Sequence, residues 1–370
     1  MEIIHVVLGK ANPDRMNGVN KVVYQLATQQ KNAGQNVRVW GITRDCTHNY
    51  PARVFETRLF KAYKNKFRLD PDFTNALMEL KGQSVFHLHG GFNPIFFSVS
   101  KALHKIGIPF VFTPHGAYNK IAMEKSWLTK KLYMRLFEKH VIKTSASIHC
   151  LGNSEVDGTK DIYPKAKYEL IPYGFESEMS VTSIPDYHKF IIGFCGRIDI
   201  YTKGLDALVT AFSTIRKQIP QAELWIIGDS REKENLQRMI DQIGSTNITL
   251  WGSKYGAEKD DLIRQMHVFA HPSRNEGLPS SVLEAASMGV PCVVTTATNV
   301  GNTISKHGCG AVIDHTDANE LSEAVISVYQ KIRTQGWKNI SDAARTMVRE
   351  EYNWNSILNR FDKLYREVCL

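Results

Sequence analysis

The segment Ala270-His-Pro-Ser-Arg-Asn-Glu-Gly-Leu-Pro-Ser-Ser-Val-Leu-Glu-Ala-Ala-Ser-Met-Gly-Val-Pro-Cys-Val-Val294 contains one full turn of the chain's architecture. A short apolar run, 268–270, ends at a polar loop; a helix opens near Ser280; a second apolar run, 291–295, follows. Short apolar strands alternating with helices are the pattern of βα units on a parallel sheet, whose strands are buried on both faces. Pro279 and Ser280 suit the cap and first turn of that helix. The residues after Glu284, Ala-Ala-Ser-Met-Gly-Val-Pro, are small and apolar, so a buried helix is expected.

The same rhythm extends in both directions. Toward the second half it predicts strands over 190–195, 223–227, 248–250 and 310–312, with helices over 205–218, 232–243, 280–288 and 318–334. In the first half it predicts strands over 2–8, 36–42, 84–89, 110–113, 147–151 and 168–171, and a helix over 18–33 closed by Gly34. The two series meet at a polar, turn-rich stretch, 177–189. An α/β chain is expected, with two doubly wound Rossmann-like parallel sheets facing each other across a cleft. The domains are read as 1–185 and 186–351, with a C-terminal helix over 352–370 packing back on the first. A length of 370 residues suits two cores. Ligands of such sheets bind beyond the carboxyl ends of the strands, so function is expected in the loops that follow them.

Composition is that of an ordinary globular chain, 43% hydrophobic and 22% charged, which excludes a disordered or fibrous protein. No run approaches the roughly eighteen apolar residues of a membrane span. The start, Met1-Glu-Ile-Ile-His-Val-Val-Leu8, lacks the basic head and cleavage site of a signal peptide. Cys46, Cys150, Cys195, Cys292, Cys309 and Cys369 show no C-x-x-C pair and no zinc spacing, so reduced thiols in a cytoplasmic protein are expected. The net charge of +9 is uneven: up to Pro185, 25 Lys+Arg face 15 Asp+Glu, and the remainder is nearly balanced at 21 to 22. The excess concentrates in 53–68 and 121–143, where cations interleave with aromatics and leucines. Such a surface suits an anionic membrane face, a phosphorylated ligand or nucleic acid. No zinc finger, RRM signature or basic zipper is present, so nucleic acid is not expected as a partner and an anionic inner membrane surface is.

Candidate chemistry gathers in the loops. The helix start near Ser280 offers backbone N–H groups of Leu278, Ser280 and Ser281 and the positive end of a dipole, a phosphate site. Glu276 precedes that helix and Glu284 lies about a turn inside it. Carboxylates suit the hydroxyls of a sugar or ribose, although taken alone Glu276 reads better as a helix-stabilising residue and Glu284 as a solvated one. In Gly193-Phe-Cys-Gly-Arg-Ile-Asp-Ile-Tyr-Thr-Lys-Gly-Leu205, Arg197 and Lys203 stand where two cations would meet a diphosphate. Gly18 opens the first helix. His115, in Phe110-Val-Phe-Thr-Pro-His-Gly-Ala-Tyr118, follows a strand directly and can bond a hydroxyl, shuttle a proton or simply bond backbone. His87 and His89, in Phe86-His-Leu-His-Gly-Gly-Phe-Asn-Pro94, have the look of a metal pair. No further ligand run is near, so an acceptor-loop or structural role is favoured over zinc.

Together these segments resemble the retaining nucleotide-sugar glycosyltransferases of glycosyltransferase family 4, which have the GT-B fold. The resemblance spans nearly the whole chain and is most specific around Glu276 and Glu284. It implies that Arg197 and Lys203 bind the donor diphosphate, Glu284 the ribose, and Glu276 the donor sugar. Gly18, Leu278, Pro279 and Ser280 would lie against phosphate or sugar, Trp251 at the base pocket, and His115 near the reacting carbon. His89, Asn93 and Tyr118 fall on the acceptor side. A metal-independent, retaining hexosyltransferase is implied, with no cofactor and a nucleoside-diphosphate sugar as co-substrate. Its acceptor would be a glycan or a polyprenyl-diphosphate-linked one in bacterial surface polysaccharide synthesis, and the enzyme would sit peripherally on the cytoplasmic face. Rivals are a sugar-nucleotide epimerase or hydrolase of the same fold, and a catalytically dead carbohydrate-binding protein. Two positions depart from the family pattern: Asn17-Gly18 stands for Gly-Gly, and Tyr173-Gly174 for Asn-Gly.

Overall fold

A computed structural model of the chain describes every residue except 14–17, 125, 176–187, 246 and 370. It divides into two units, Met1–Gly174 with Trp354–Leu370, and Phe175–Asn353.

The first unit is built on a seven-stranded sheet of β1 (Glu2–Leu8), β2 (Val37–Thr43), β3 (Glu56–Lys61), β4 (Ser84–His89), β5 (Phe110–Thr113), β6 (Ser147–Cys150) and β7 (Tyr168–Leu170). Their order is β3-β2-β1-β4-β5-β6-β7, all parallel. One face carries the apolar core of Ile4, Val6, Phe86, Leu88, Phe110 and Phe112. Side chains alternate across a strand, so the other face carries His5, His87, His89, Thr113 and His149. The register sets His5 beside His87 and His89 beside Thr113. Gln30 of the helix Gly18–Asn32 and Tyr365 of the helix Trp354–Cys369 cover that face.

The second unit has six parallel strands: β8 (Phe190–Cys195), β9 (Ala222–Ile227), β10 (Ile248–Gly252), β11 (Val268–His271), β12 (Cys292–Thr295) and β13 (Gly310–Ile313), ordered β10-β9-β8-β11-β12-β13. Helices Leu205–Gln218 and Ala318–Gln335 close one face and Ser280–Ser287 with Trp337–Glu351 the other. As expected from its small residues, Val282, Leu283, Ala285 and Ala286 of the helix Ser280–Ser287 are buried.

The structure departs from the sequence reading in two places. Stretch 53–68, read as a basic patch, contains strand β3, of whose residues only Phe60 is buried. An edge strand with charges on its open side has no apolar run to announce it. The division between units falls at Gly174 rather than 185, because Phe175 N donates to Tyr352 O (2.8 Å) and the Phe175 ring joins the second core. A Cβ on Gly174 would strike the Trp354 ring at 2.3 Å, so the chain turns there against the C-terminal helix. The linker read at 177–189 lies largely outside the described residues. No described helix is long and apolar enough to cross a membrane.

Candidate active site

In the second sheet the strand order reverses between β8 and β11, and the loops leaving these two strands lie against each other. Beyond β8, Asp199 caps the short helix Ile200–Lys203 by accepting from Thr202 N (3.1 Å). That helix ends at Gly204, whose φ is +67°, and a Cβ there would lie 2.1 Å from Pro272 O. Glycine is what lets the loops touch. Arg274 N donates to Thr202 O (2.9 Å), and the Arg274 guanidinium forks Asp206 at 2.8 Å on each arm.

This clamp brings Lys203 to Glu276. Lys203 Nζ donates to Glu276 Oε1, as do His271 Nε2 (2.8 Å) and Ser273 Oγ (3.2 Å). The Lys203 and Glu276 side chains are only 17% and 13% exposed, so the pair is mostly desolvated. Burial opposes ionisation of Glu276, but the Lys203 ammonium and the His271 hydrogen bond outweigh it and hold its pKa below the ordinary value. Burial drives His271 to its neutral form, with Phe194 and Phe269 stacked on it at 5.4 and 6.1 Å. Asn299 Nδ2 donates to the carbonyls of Glu276 (3.2 Å) and Gly277 (2.7 Å), fixing the loop.

The helix Ser280–Ser287 starts at Pro279 in an extended conformation, with no side-chain cap. An uncapped start of this kind presents N–H groups to an anion. Inside it, Glu284 pairs with Lys259 Nζ at 2.5 Å. Burial works against the Lys259 charge, but Glu284 outweighs it and raises the lysine's pKa. Trp251, at the end of β10, packs edge-on against Trp225 (5.3 Å), and its Nε1 is buried without a hydrogen-bond partner. Arg197 is 63% exposed and pairs with Asp199 at 3.0 Å.

In the first unit His115 sits half-buried in the loop after β5 with φ of 54°, a strained backbone for a non-glycine residue. Glu155 holds that loop, accepting from Gly116 N and, at 2.7 Å, from Leu151 N. Glu138 accepts from Phe92 N (2.7 Å) and the Tyr118 hydroxyl (2.9 Å), tying the loops after β4 and β5 together. It reaches inward from a π turn, Met134–Glu138. His5, His87 and His89 form the one histidine cluster with metal-ligand spacing among the described residues. All six of their ring nitrogens are engaged in hydrogen bonds, to Gln30, His115, Thr113, Tyr365 or each other.

Two family models match this chain: "Glycosyltransferase Family 4" over residues 16–178 and "Glycosyl transferases group 1" over 189–331. The chain belongs to glycosyltransferase family 4. It is 24% identical to the phosphatidylinositol N-acetylglucosaminyltransferase gpi3 subunit of Schizosaccharomyces pombe, over 95% of this chain and 78% of that one. Among solved structures, a point mutant of Staphylococcus aureus TarM in complex with fondaparinux, α-GlcNAc-glycerol and UDP superposes with a TM-score of 0.79 at 12% identity, covering 99% of this chain and 100% of that one. Anabaena HepE, in complex with UDP and glucose, superposes at 0.77 and 15% identity with the same coverage. At such identities the likeness is one of fold, GT-B.

In this glycosyltransferase the structure joins Lys203 to Glu276 and sets Leu278, Pro279 and Ser280 directly after them. Glu284 belongs to a separate ion pair. Two partners escaped the sequence reading. His271 ends a strand and carries no motif of its own. Lys259 stands 25 residues from Glu284 on the helix Gly256–Arg264, with nothing local to link them. The acceptor-side residues are corrected in part. Tyr118 is fully buried with its hydroxyl committed to Glu138. His89 is buried in the histidine cluster, and Asn93 Nδ2 donates to the Gly90 and Gly91 carbonyls (both 3.1 Å). Tyr118 and His89 are buried and shape the loops rather than present themselves to a ligand, while Asn93 is half-buried. Gly18 opens its helix with no described atom within 4 Å of an added Cβ; Asn17 lies outside the described residues.

Proposed function

We propose that this glycosyltransferase moves a hexose or N-acetylhexosamine from a nucleoside diphosphate to a glycan or lipid-linked acceptor, with retention of configuration and without a metal. The observation that carries this reading is the desolvated Lys203–Glu276 pair beside the uncapped start of the helix Ser280–Ser287. A departing diphosphate needs its growing negative charge stabilised, and preorganised cations and amide dipoles in a dry site do that without reorganisation. Lys203 and the helix start supply them. Arg197, largely exposed, adds a forked contact once a phosphate is present. Glu276 stays ionised and accepts from sugar hydroxyls, while the Lys259–Glu284 pair and the orphan Trp251 N–H address the nucleoside. In this scheme the departing phosphate oxygen takes the acceptor's proton on the same face, so no carboxylate nucleophile is needed. The glutamates are not the closely apposed carboxylate pair of a glycosidase.

The UDP in the TarM and HepE complexes and the phosphatidylinositol named for the gpi3 subunit support a nucleotide donor and a lipid-linked acceptor. The helical stretch 127–144 supports a place at an anionic membrane face. It leaves Trp127, Leu128, Leu132 and Leu136 between 54% and 65% exposed among Lys130, Lys131 and Arg135. The deciding experiment is calorimetry with UDP, GDP and their sugars on the intact chain and on Lys203→Ala. Binding of one nucleotide at micromolar Kd, weakened at least tenfold by the substitution, is expected. Undiminished binding sinks the assignment. Release of free sugar with no acceptor needed indicates an epimerase or hydrolase instead.

A further inference from the structure

The face of the first sheet opposite its apolar core holds two hydrogen-bond chains whose direction can be worked out from their fixed ends. One ends on a backbone carbonyl: His149 Nε2 lies 2.6 Å from Ile171 O, which can only accept. His149 therefore carries its proton on Nε2, and as a neutral ring it accepts at Nδ1 from the Thr113 hydroxyl (2.7 Å). Thr113 Oγ1 in turn accepts from His87 Nε2 (2.6 Å), and His87 Nδ1 accepts from the Tyr365 hydroxyl (2.8 Å). The amide nitrogen of Gln30 is buried without a hydrogen-bond partner among the described residues, and it is the Gln30 oxygen that faces His5.

The second chain starts from that oxygen. His5 Nε2 donates to Gln30 Oε1 (2.6 Å), so His5 Nδ1 accepts from His89 Nε2 (2.9 Å). His89 Nδ1 then accepts from His115 Nε2 (3.1 Å). His5, His87, His89 and His149 are each used once as donor and once as acceptor, which requires them to be neutral, while His115 only donates; burial pushes all five pKa values down.

We propose that Gln30, His5 and His89 are positioning residues that lock His115 in its Nε2–H tautomer, so that Nδ1 is the acceptor it offers to a ligand. His115 Nδ1 has no hydrogen-bond partner among the described residues. A donated sugar hydroxyl is the chemistry it fits, and an N–H acceptor or a carbonyl oxygen needing a proton is not. The inference deepens the proposed transferase reading, on which the ligand rests; the tautomer itself does not depend on it.

The test is long-range ¹H–¹⁵N correlation on the full chain labelled at histidine, at neutral pH and without ligand, with signals assigned by single substitutions. His5, His89 and His115 are expected neutral and protonated on Nε2. A charged His115, or one protonated on Nδ1, overturns the proposal whatever the enzyme's activity. His5→Asn keeps an acceptor close to where Nδ1 stood, and His5→Leu removes it. His115 is expected to keep its tautomer in the first and to become a mixture in the second, with a unique tautomer in both counting against the chain. Donor KM is expected to rise about tenfold in His5→Leu and to stay within about twofold in His5→Asn. The expected spectra with an unmoved KM uphold the hydrogen-bond chain and instead remove His115 from the donor site.

Discussion

Lys203 and Glu276 stabilise each other in a place where neither charge is well solvated, so removing one partner costs more than the pair contributes. Breaking a buried pair typically costs about 3–5 kcal/mol; with the pair here partly exposed, about 2–3 kcal/mol is expected. Lys203→Ala should lower thermal stability and turnover together. Lys203→Ala combined with Glu276→Gln should recover stability but not turnover, as a double-mutant cycle by urea unfolding and initial rates would show. The Lys259–Glu284 pair permits a cleaner separation. Lys259→Met and Glu284→Gln should each raise donor KM several-fold, and measuring KM with nucleotides differing only in the base would show whether the pair reads ribose or base. Lys203 was visible in the sequence because it stands in a strand-end loop. His271 and Lys259 were not, because a side chain's partner across a fold leaves no local pattern.

At the level of the element, the contact between the loops after β8 and β11 is the critical construction. Gly204→Ala would place a methyl 2.1 Å from Pro272 O on a backbone with φ of +67°. Both steric overlap and strain oppose it, at a cost of roughly 2–4 kcal/mol. Nucleotide affinity should fall with it, since the loop that delivers Lys203 must move. The helical stretch 127–144 is the other telling element. Trp127→Ser with Leu132→Ser should abolish flotation with anionic vesicles at low salt while leaving rates on a water-soluble acceptor unchanged. Binding that survives, or that ignores salt, contradicts membrane docking. Periodicity revealed the central strands nearly to the residue because they are buried on both faces and run apolar throughout. Edge strand β3 was hidden by its charges. The π turn at Met134–Glu138 was hidden because a helix written in sequence does not show one extra residue until packing turns Glu138 inward.

The whole molecule carries a pH signature. His5 and His149 are pushed down to about 4 and His115 to about 3 from an ordinary 6.5, with His87 and His89 also well below it, all by burial. The unfolded chain therefore binds more protons than the folded one between about pH 6.5 and 4. Stability is complete above 6.5 and is lost as pH falls through that window, by at most roughly 2 kcal/mol per histidine at pH 5. Glu138 and Glu155, raised by burial to about 7, act oppositely: their protonation favours the fold as pH falls from about 7 toward 4.5. Five rings outweigh two carboxyls, so urea midpoints should drop from pH 7 to pH 5. Glu138→Gln should make that drop steeper. A flat profile would mean the rings are solvated.

Strand-helix alternation, the βα repeat, the glycine that ends a helix and the charged loop residues all follow from local chemistry, because each depends on neighbours within a few positions. Pairings such as His271 with Glu276, Lys259 with Glu284, and Gln30 with His5 depend on which strands lie side by side. That order, β1 beside β4 and β8 beside β11, is a property of the folded sheet. The C-terminal segment shows the same division. Its helix is legible as an amphipathic run, yet only folding sets the Tyr365 hydroxyl 2.8 Å from His87, 278 residues away. Hydrogen bonds and ion pairs act over a few ångströms of space, not of chain, and so the site's wiring exists only once the strands have packed.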